Sequence, residues 1–270
     1  MRSVIFGLIK GYPENLECYE KLINRNISIY EKINKHREIK ADLILFHEGN
    51  ISNFDQNYIQ TNSPEIIKFI DVGQILNNIR KNKVDISKTE PERFNLGYRF
   101  MCQFNFFHIW RFIEEYSYGL RIDEDIIIND IDPFIFEEMQ KTGKIFSTGA
   151  LVPETHELTN QTLPQYLENL FGIESKEFYN HKFPYTNVYV TNISFWLDND
   201  LQKKLEEISK NPKQIEYRWG DLPILGSILN IYDIQINILK TINYEHLSHK
   251  NVVKSKRLSI KNFFRNFNKS

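Results

Sequence analysis

Tyr118-Gly119-Leu120-Arg121-Ile122-Asp123-Glu124-Asp125-Ile126-Ile127-Ile128 sets three consecutive acids between two apolar runs. Neither run is long enough for a helix, so the stretch reads as strand, acidic break, strand. On an extended backbone the carboxylates of Asp123 and Asp125, two residues apart, project to the same side. Their repulsion is costly unless a divalent cation offsets it. Asp-x-Asp after a buried strand therefore points to a hard cation, Mn²⁺ or Mg²⁺. Such an ion takes one or two carboxylates and completes its shell with phosphate oxygens and water. Taken alone, the same residues also fit a plain acidic turn between strands.

Working outward, Val4 to Ile9 predicts a first buried strand. Glu14 to Asn34, with Leu16, Tyr19, Leu22, Ile23 and Ile27 on one face, predicts a helix. Leu43-Ile44-Leu45-Phe46 is a second short strand. This β-α-β opening implies a parallel sheet with helices packed on it. No Gly-x-Gly-x-x-Gly follows the first strand, which argues against a nicotinamide dinucleotide fold. The composition of 47–64 is that of a loop, Ile66 to Ile70 resumes a strand, and the polar, basic stretch 75–93 reads as a connection.

Phe100 to Tyr116 is apolar all round and predicts a buried helix. Asp132-Pro133 reads as an N-cap and first-turn pair opening a helix through Met139. Strands are expected in Lys144 to Leu151 and Asn187 to Trp196, with a loop and helix over Pro153 to Gly172. Asp221 is expected to cap a helix whose apolar face is Leu222, Leu225, Leu229 and Tyr232. The fold class is α/β, a mixed central sheet flanked by helices.

Apolar residues make up 41% of the 270 and charged residues 26%, the balance of a water-soluble domain rather than a membrane bundle. Residues 1–249 read as one domain and 250–270 as a basic tail. That tail carries Lys250, Lys254, Lys256, Arg257, Lys261, Arg265 and Lys269 without an acid, so the net charge of −1 conceals an acidic body. An acidic body is a poor match for nucleic acid. Within the tail, Ile260, Phe263, Phe264 and Phe267 would form an apolar stripe beside a cationic face, suited to an anionic membrane surface or to docking on the domain. Cys18 and Cys102 are the only cysteines, which leaves no disulfide framework and points to a cytoplasmic compartment.

Several blocks, in one order, carry a more specific likeness. Tyr98-Arg99-Phe100-Met101-Cys102-Gln103-Phe104, then Tyr118 to Asp125, then Asp132-Pro133-Phe134, then Glu216-Tyr217-Arg218-Trp219-Gly220-Asp221-Leu222-Pro223, then Ile242-Asn243-Tyr244-Glu245-His246 resemble the fungal α-1,2-mannosyltransferase family. The likeness runs from about Tyr98 to His246. It implies a GT-A (nucleotide-diphospho-sugar transferase) fold and a metal-dependent, retaining glycosyltransferase that moves a hexose, best mannose, from a nucleotide sugar. The donor implied is GDP-mannose with Mn²⁺, a UDP-sugar being the alternative, and the acceptor is a hydroxyl of a glycan or glycolipid.

By the same resemblance Asp123 and Asp125 match the outer residues of the family's Glu-Pro-Asp metal motif, and His246 matches the histidine that completes the site. Arg218 and Asp221 stand in a sugar-pocket block with Trp219, whose aromatic face suits a sugar ring. Tyr98, Arg121, Asn187 and Tyr189 join them as donor-pocket candidates. One departure is plain: Tyr189 stands where the family places a glutamate proposed as nucleophile. A phenol with a pKa near 10 is a poor substitute. Two further readings stay open: a nucleotide-sugar binder without turnover, and a sugar-phosphate nucleotidyltransferase. The latter is disfavoured because Gly7 to Gly11 is a poor phosphate loop.

Overall fold

Strand alternation decides the layering. In the computed structural model, which describes residues 1–13, 15–81, 84–87, 89, 94–173 and 182–247 and the backbone of 251–254, Val4 and Phe6 of the first strand enter one apolar core. Ile5 and Ile9 enter another. Ile44 and Phe46 against Leu43 and Leu45 split in the same way. Period-two side chains that are apolar on both faces require helices above and below the sheet.

In chain order the elements are β1 (Ser3–Ile9), α1 (Glu20–Lys32), β2 (Asp42–His47), α2 (Asn53–Thr61), β3 (Ile67–Asp71), α3 (Gly73–Arg80), α4 (Leu96–Phe106), β4 (Tyr118–Ile122), β5 (Ile126–Ile131) and α5 (Ile135–Thr142). There follow β6 (Phe146–Thr148), β7 (Leu151–Pro153), α6 (Glu157–Phe171), β8 (Lys182–Pro184), β9 (Val188–Asn192), α7 (Ile193–Trp196), α8 (Asn199–Lys210), α9 (Pro212–Glu216), α10 (Asp221–Ile231), β10 (Ile236–Ile238), β11 (Ile242–His246) and β12 (Asn251–Lys254).

Among the described residues seven strands form the main sheet in the order β10-β6-β9-β4-β1-β2-β3. β1 pairs in parallel with β2 and β4, whereas β9 runs antiparallel to β4 and β6. The sheet is mixed, as expected. A second, antiparallel sheet, β12-β11-β5, stands beside it, and β7 pairs with β8.

Several elements depart from the sequence reading. The 47–64 stretch contains α2, closed by a capping box between Ser52 and Asp55 that its polar composition conceals. The 75–93 stretch begins with α3, whose Leu76 and Ile79 are buried. The aromatic helix is two pieces, α4 and a short 3₁₀ turn His108–Phe112. On α1, Arg25 and Asn26 are buried and Ile27 is 40% exposed, so the buried face is rotated from the one that apolarity alone picks out.

Asp132 precedes α5 by a turn, its carboxylate accepting the Phe134 N–H at 2.9 Å, and Phe134 is the N-cap. Gly220, not Asp221, is the N-cap of α10. Lys144–Leu151 divides between two sheets, and Asn187–Trp196 ends as α7. β12 extends the regular structure past residue 249. The proposed amphipathic helix of the tail lies outside the described residues. No helix among the described residues is long and apolar enough to cross a membrane.

Candidate active site

Asp123, Glu124 and Asp125 do not continue a strand. They turn the chain from β4 into β5, the Ile126 N–H donating to the Asp123 carbonyl at 3.3 Å. The turn is pinned from below. Arg25, fully buried on α1, donates through Nη2 to the Ile122 carbonyl at 2.5 Å and through Nε to that of Asp123 at 3.1 Å. Burial lowers its pKa to about 10, and the charges of Asp123, Glu124 and Asp125 work against that fall. From the side, the Asp123 N–H donates to the Asn187 carbonyl at 3.0 Å, and Glu124 Oε2 accepts the Lys10 N–H at 2.7 Å.

Register brings the distant histidine here. β11 pairs antiparallel with β5 so that His246 lies opposite Ile126, and the Leu247 N–H donates to the Asp125 carbonyl at 2.9 Å. His246 Nδ1 stands 3.6 Å from Asp125 Oδ2. Burial lowers the His246 pKa, more than Asp125 restores it, which keeps the imidazole neutral and fit to ligate. Tyr185 stacks on it at 6.4 Å. Beneath lie Tyr244, whose hydroxyl donates to Asn187 Oδ1 at 3.1 Å, and Gly149, where a Cβ would come within 2.8 Å of the Tyr244 ring.

Asp123 behaves differently from its neighbour. Its Oδ1 accepts from Arg121 Nε at 2.9 Å, and Arg121 Nη1 donates to Asp221 Oδ2 at 2.6 Å, all but the outer edge of Asp123 being buried. Burial alone would lower the arginine pKa, but the two carboxylates outweigh it and hold the charge. Burial raises Asp123 to about 6 and Glu124 to about 7, with Arg121 opposing the shift on Asp123 and the Lys10 N–H that on Glu124. Asp125 and His246 thus fit a divalent ion as a chelating pair. Among the described residues no group of three or more His, Cys, Asp or Glu has the geometry to hold one. The remainder of a shell would fall to phosphate oxygens, water and the second oxygen of Asp123.

The expected sugar pocket is only partly assembled. Arg218 adopts φ +58, pairs with Glu154 Oε1 at 2.6 Å and stacks 4.0 Å from the Phe94 ring. The phenol of Tyr98, half-buried in the first turn of α4, feels Cys102 most, then burial, Asp221 and Arg218, so these groups share one neighbourhood. Asp221 sits in the first turn of α10, its carboxylate turned to Arg121 rather than to solvent.

Two expectations need correction. Trp219 is 0% exposed, tilted against Tyr166 at 4.9 Å, with its indole N–H donating to Thr162 Oγ1 at 2.9 Å, so it is core and offers no face to a sugar. Tyr189 is also 0% exposed, stacked on Phe146 at 4.9 Å, and Arg121 lies opposite it across the β4–β9 pair. Burial pushes its phenol well above the usual range. Asn187 is buried beside the turn, and its Nδ2 lacks a partner.

Sequence reasoning missed Arg25, Arg99 and Glu154. Arg25 left a signal, lying three residues after Leu22 and four before Ile29 on a buried face. Arg99 is another buried arginine, donating to the carbonyls of Phe94, Ile215, Glu216 and Thr89. Glu154 left none, since only the fold brings it to Arg218.

No family model matches the chain. The O-glycoside α-1,2-mannosyltransferase omh1 of Schizosaccharomyces pombe is 24% identical over 204 residues, 67% of this chain and 51% of that protein. The O-glycoside α-1,2-mannosyltransferase homolog 3 of the same yeast is 27% identical over 218 residues, 72% of this chain and 57% of that protein. The chain thus spans about half the length of the curated relatives it matches. Core-mannan synthase A from Aspergillus fumigatus, solved in an Mn/GDP form, shares 13% identity and a TM-score of 0.71 over 92% of this chain and 75% of that one. The chain therefore has the GT-A fold, and its similarity is to the fungal α-1,2-mannosyltransferases that the ordered sequence blocks resemble.

Proposed function

We propose that this protein transfers a hexose, mannose first, from a nucleoside-diphosphate donor, GDP-mannose first, to a hydroxyl of a glycan or glycolipid. The observation that carries the reading is the approach of His246 to Asp125 at 3.6 Å, because two residues 121 positions apart in the chain meet there at a turn shielded by buried arginines. Asp125 and His246 would hold Mn²⁺ or Mg²⁺, with Asp123 contributing its second oxygen. The ion would supply Lewis-acid stabilisation to a departing diphosphate.

The chain's own residues do the rest. Arg121, locked between Asp123 and Asp221, holds a positive charge under the donor position. Arg218, Tyr98 and Asp221 shape the sugar side of the site, and Asn187 offers its Nδ2 donor. Tyr189 stays protonated at neutral pH, so it serves as packing for Arg121 and forms no covalent intermediate. With retention, the acceptor hydroxyl would attack from the face that the diphosphate leaves, and the diphosphate would take the proton. A cytoplasmic location, with the cationic tail against an anionic membrane, belongs to the same proposal and is tested by vesicle sedimentation with and without residues 250–270.

The test is a panel of nucleotide sugars scored for Mn²⁺-dependent hydrolysis and thermal stabilisation, with Asp125→Asn alongside. Stabilisation by GDP-mannose that vanishes in the variant supports the reading. Equal stabilisation of both proteins removes the ion site, and a response to UDP-sugars alone moves the donor.

A further inference from the structure

β11 touches the surroundings of the acid turn twice. Tyr244 and His246 stand two residues apart on it, so their side chains leave the same face of the strand, and both are buried. His246 approaches Asp125. Tyr244 reaches Asn187 instead, its hydroxyl donating to Asn187 Oδ1 at 3.1 Å with both residues buried. The phenol has little freedom to leave. A Cβ at Gly149 would come within 2.8 Å of its ring and 3.1 Å of its hydroxyl, so bare backbone at that position forms its seat.

Asn187 is tied to the turn by its other polar groups. Its carbonyl accepts the Asp123 N–H at 3.0 Å, and the residue is only 3% exposed. Its Nδ2, however, has no hydrogen-bond partner among the described residues. A buried amide N–H without an acceptor is costly, and native proteins seldom keep one that serves nothing. A carboxamide can be seated beside a phenol either way round, because the hydroxyl both donates and accepts. Here Tyr244 takes the oxygen, which leaves the N–H end free beside a turn carrying three acids, the orientation that charge favours. Asp123 Oδ1 is already engaged, accepting from Arg121 Nε at 2.9 Å. What Nδ2 lacks is an acceptor oxygen brought from outside the chain.

We infer that Tyr244 is a positioning residue: by gripping the Asn187 carboxamide at its oxygen, it presents Nδ2 to an oxygen of the diphosphate. The inference rests on the reading of the site as one for a nucleoside-diphosphate donor. Without the phenol the carboxamide is free to turn over, and its oxygen would then repel the same phosphate. Asn187 meets the ligand, and Tyr244 acts only through Asn187.

The experiment is calorimetric titration of the full chain with Mn²⁺ alone, then with inorganic pyrophosphate and with GDP in Mn²⁺. The proteins are the wild type, Tyr244→Phe, Asn187→Ala and the double variant. Tyr244→Phe keeps the ring that Gly149 seats, and a cooperative urea transition verifies its fold. It should weaken pyrophosphate and GDP by about fivefold to tenfold, the scale of one hydrogen bond, while Mn²⁺ alone binds as in the wild type. In the Asn187→Ala background the same substitution should change nothing further, because the group through which Tyr244 acts is gone. Asn187→Asp still offers Tyr244 an oxygen but sets a carboxylate where the donor stood, so it should weaken both ligands more than Asn187→Ala does. Losses that add in the double variant, or a fall in Mn²⁺ affinity as large as that for pyrophosphate, make Tyr244 part of the scaffold and overturn the inference. Unchanged pyrophosphate affinity in Tyr244→Phe overturns it too, and each of these results leaves the donor reading standing. Failure of the wild type to bind either ligand in Mn²⁺ overturns both.

Discussion

Arg25 and Arg99 are buried arginines that bond chiefly to backbone carbonyls, whereas Arg121 and Arg218 are buried arginines that bond to carboxylates. Burial lowers the first two to about 10. Arg121 is raised instead, since two acids outweigh its desolvation. The difference separates two tasks. A guanidinium on carbonyls holds the backbone in shape, Arg25 at the acid turn and Arg99 where Thr89 and Phe94 meet Ile215 and Glu216. A guanidinium on carboxylates sets the local charge of the site, Arg121 opposing the burial that raises the Asp123 pKa.

The comparison is sharpened first at the largest expected effect. Asp125→Asn should lower Mn²⁺-dependent turnover on the order of a hundredfold to a thousandfold, the scale of losing a principal charge stabiliser, while the melting temperature stays near that of the wild type. A collapse of stability instead would make Asp125 part of the scaffold.

Next come the carbonyl clamps. Arg99→Met leaves four carbonyls without their donor and should cost roughly 2–4 kcal/mol in denaturant unfolding, and Arg25→Met, with two, somewhat less. The two variants should part in metal binding, with Mn²⁺ affinity weakened in Arg25→Met and retained in Arg99→Met. Parallel losses would erase the division of labour between them.

The acid turn makes a third prediction in pH. Asp123 and Glu124 hold their protons more tightly folded than unfolded, so the stability they lend is complete below the ordinary carboxylate pKa near 4 and is lost as pH rises through 6 and 7. The metal-free melting temperature should therefore fall between pH 5 and 7.5, by a contribution of roughly 1–2 kcal/mol after screening. The stabilisation by Mn²⁺ should grow over the same interval, because the ion competes with those protons. A rise in metal-free stability would reverse the sign argued for the turn.

The smallest effect concerns Trp219. Trp219→Phe removes the bond to Thr162 and leaves a void, a cost of about 1–2 kcal/mol in stability, while the donor KM stays unchanged. A raised KM would return Trp219 to the sugar pocket.

Much of the fold was legible because its signals are local. The apolar alternation of Val4 to Ile9 and Leu43 to Phe46, and the apolar runs on either side of Asp123, state strands wherever they occur. α2 was not legible, since its stabilising feature is a reciprocal pair of hydrogen bonds between Ser52 and Asp55 rather than a hydrophobic stripe. In the site, the ordered blocks and not the spacing point to His246 together with Asp125, and the fold sets their side chains 3.6 Å apart. Trp219 and Tyr189 were placed on the ligand side because an aromatic in a sugar-pocket block looks the same in sequence whether its face meets a ring or a helix.

By itself the sequence determined the layered α/β plan, the acid triplet at the end of a buried strand and the ordered likeness to one enzyme family. These are properties of side-chain period and residue type, which the chain carries without folding. Tertiary structure alone decided that Arg121 takes Asp123 and Asp221 together, that Arg25 holds the turn from beneath, and that β11 delivers His246 to Asp125. Each depends on strand register and on which charges share a buried volume, and energies of that kind exist only once water has been excluded from between the parts.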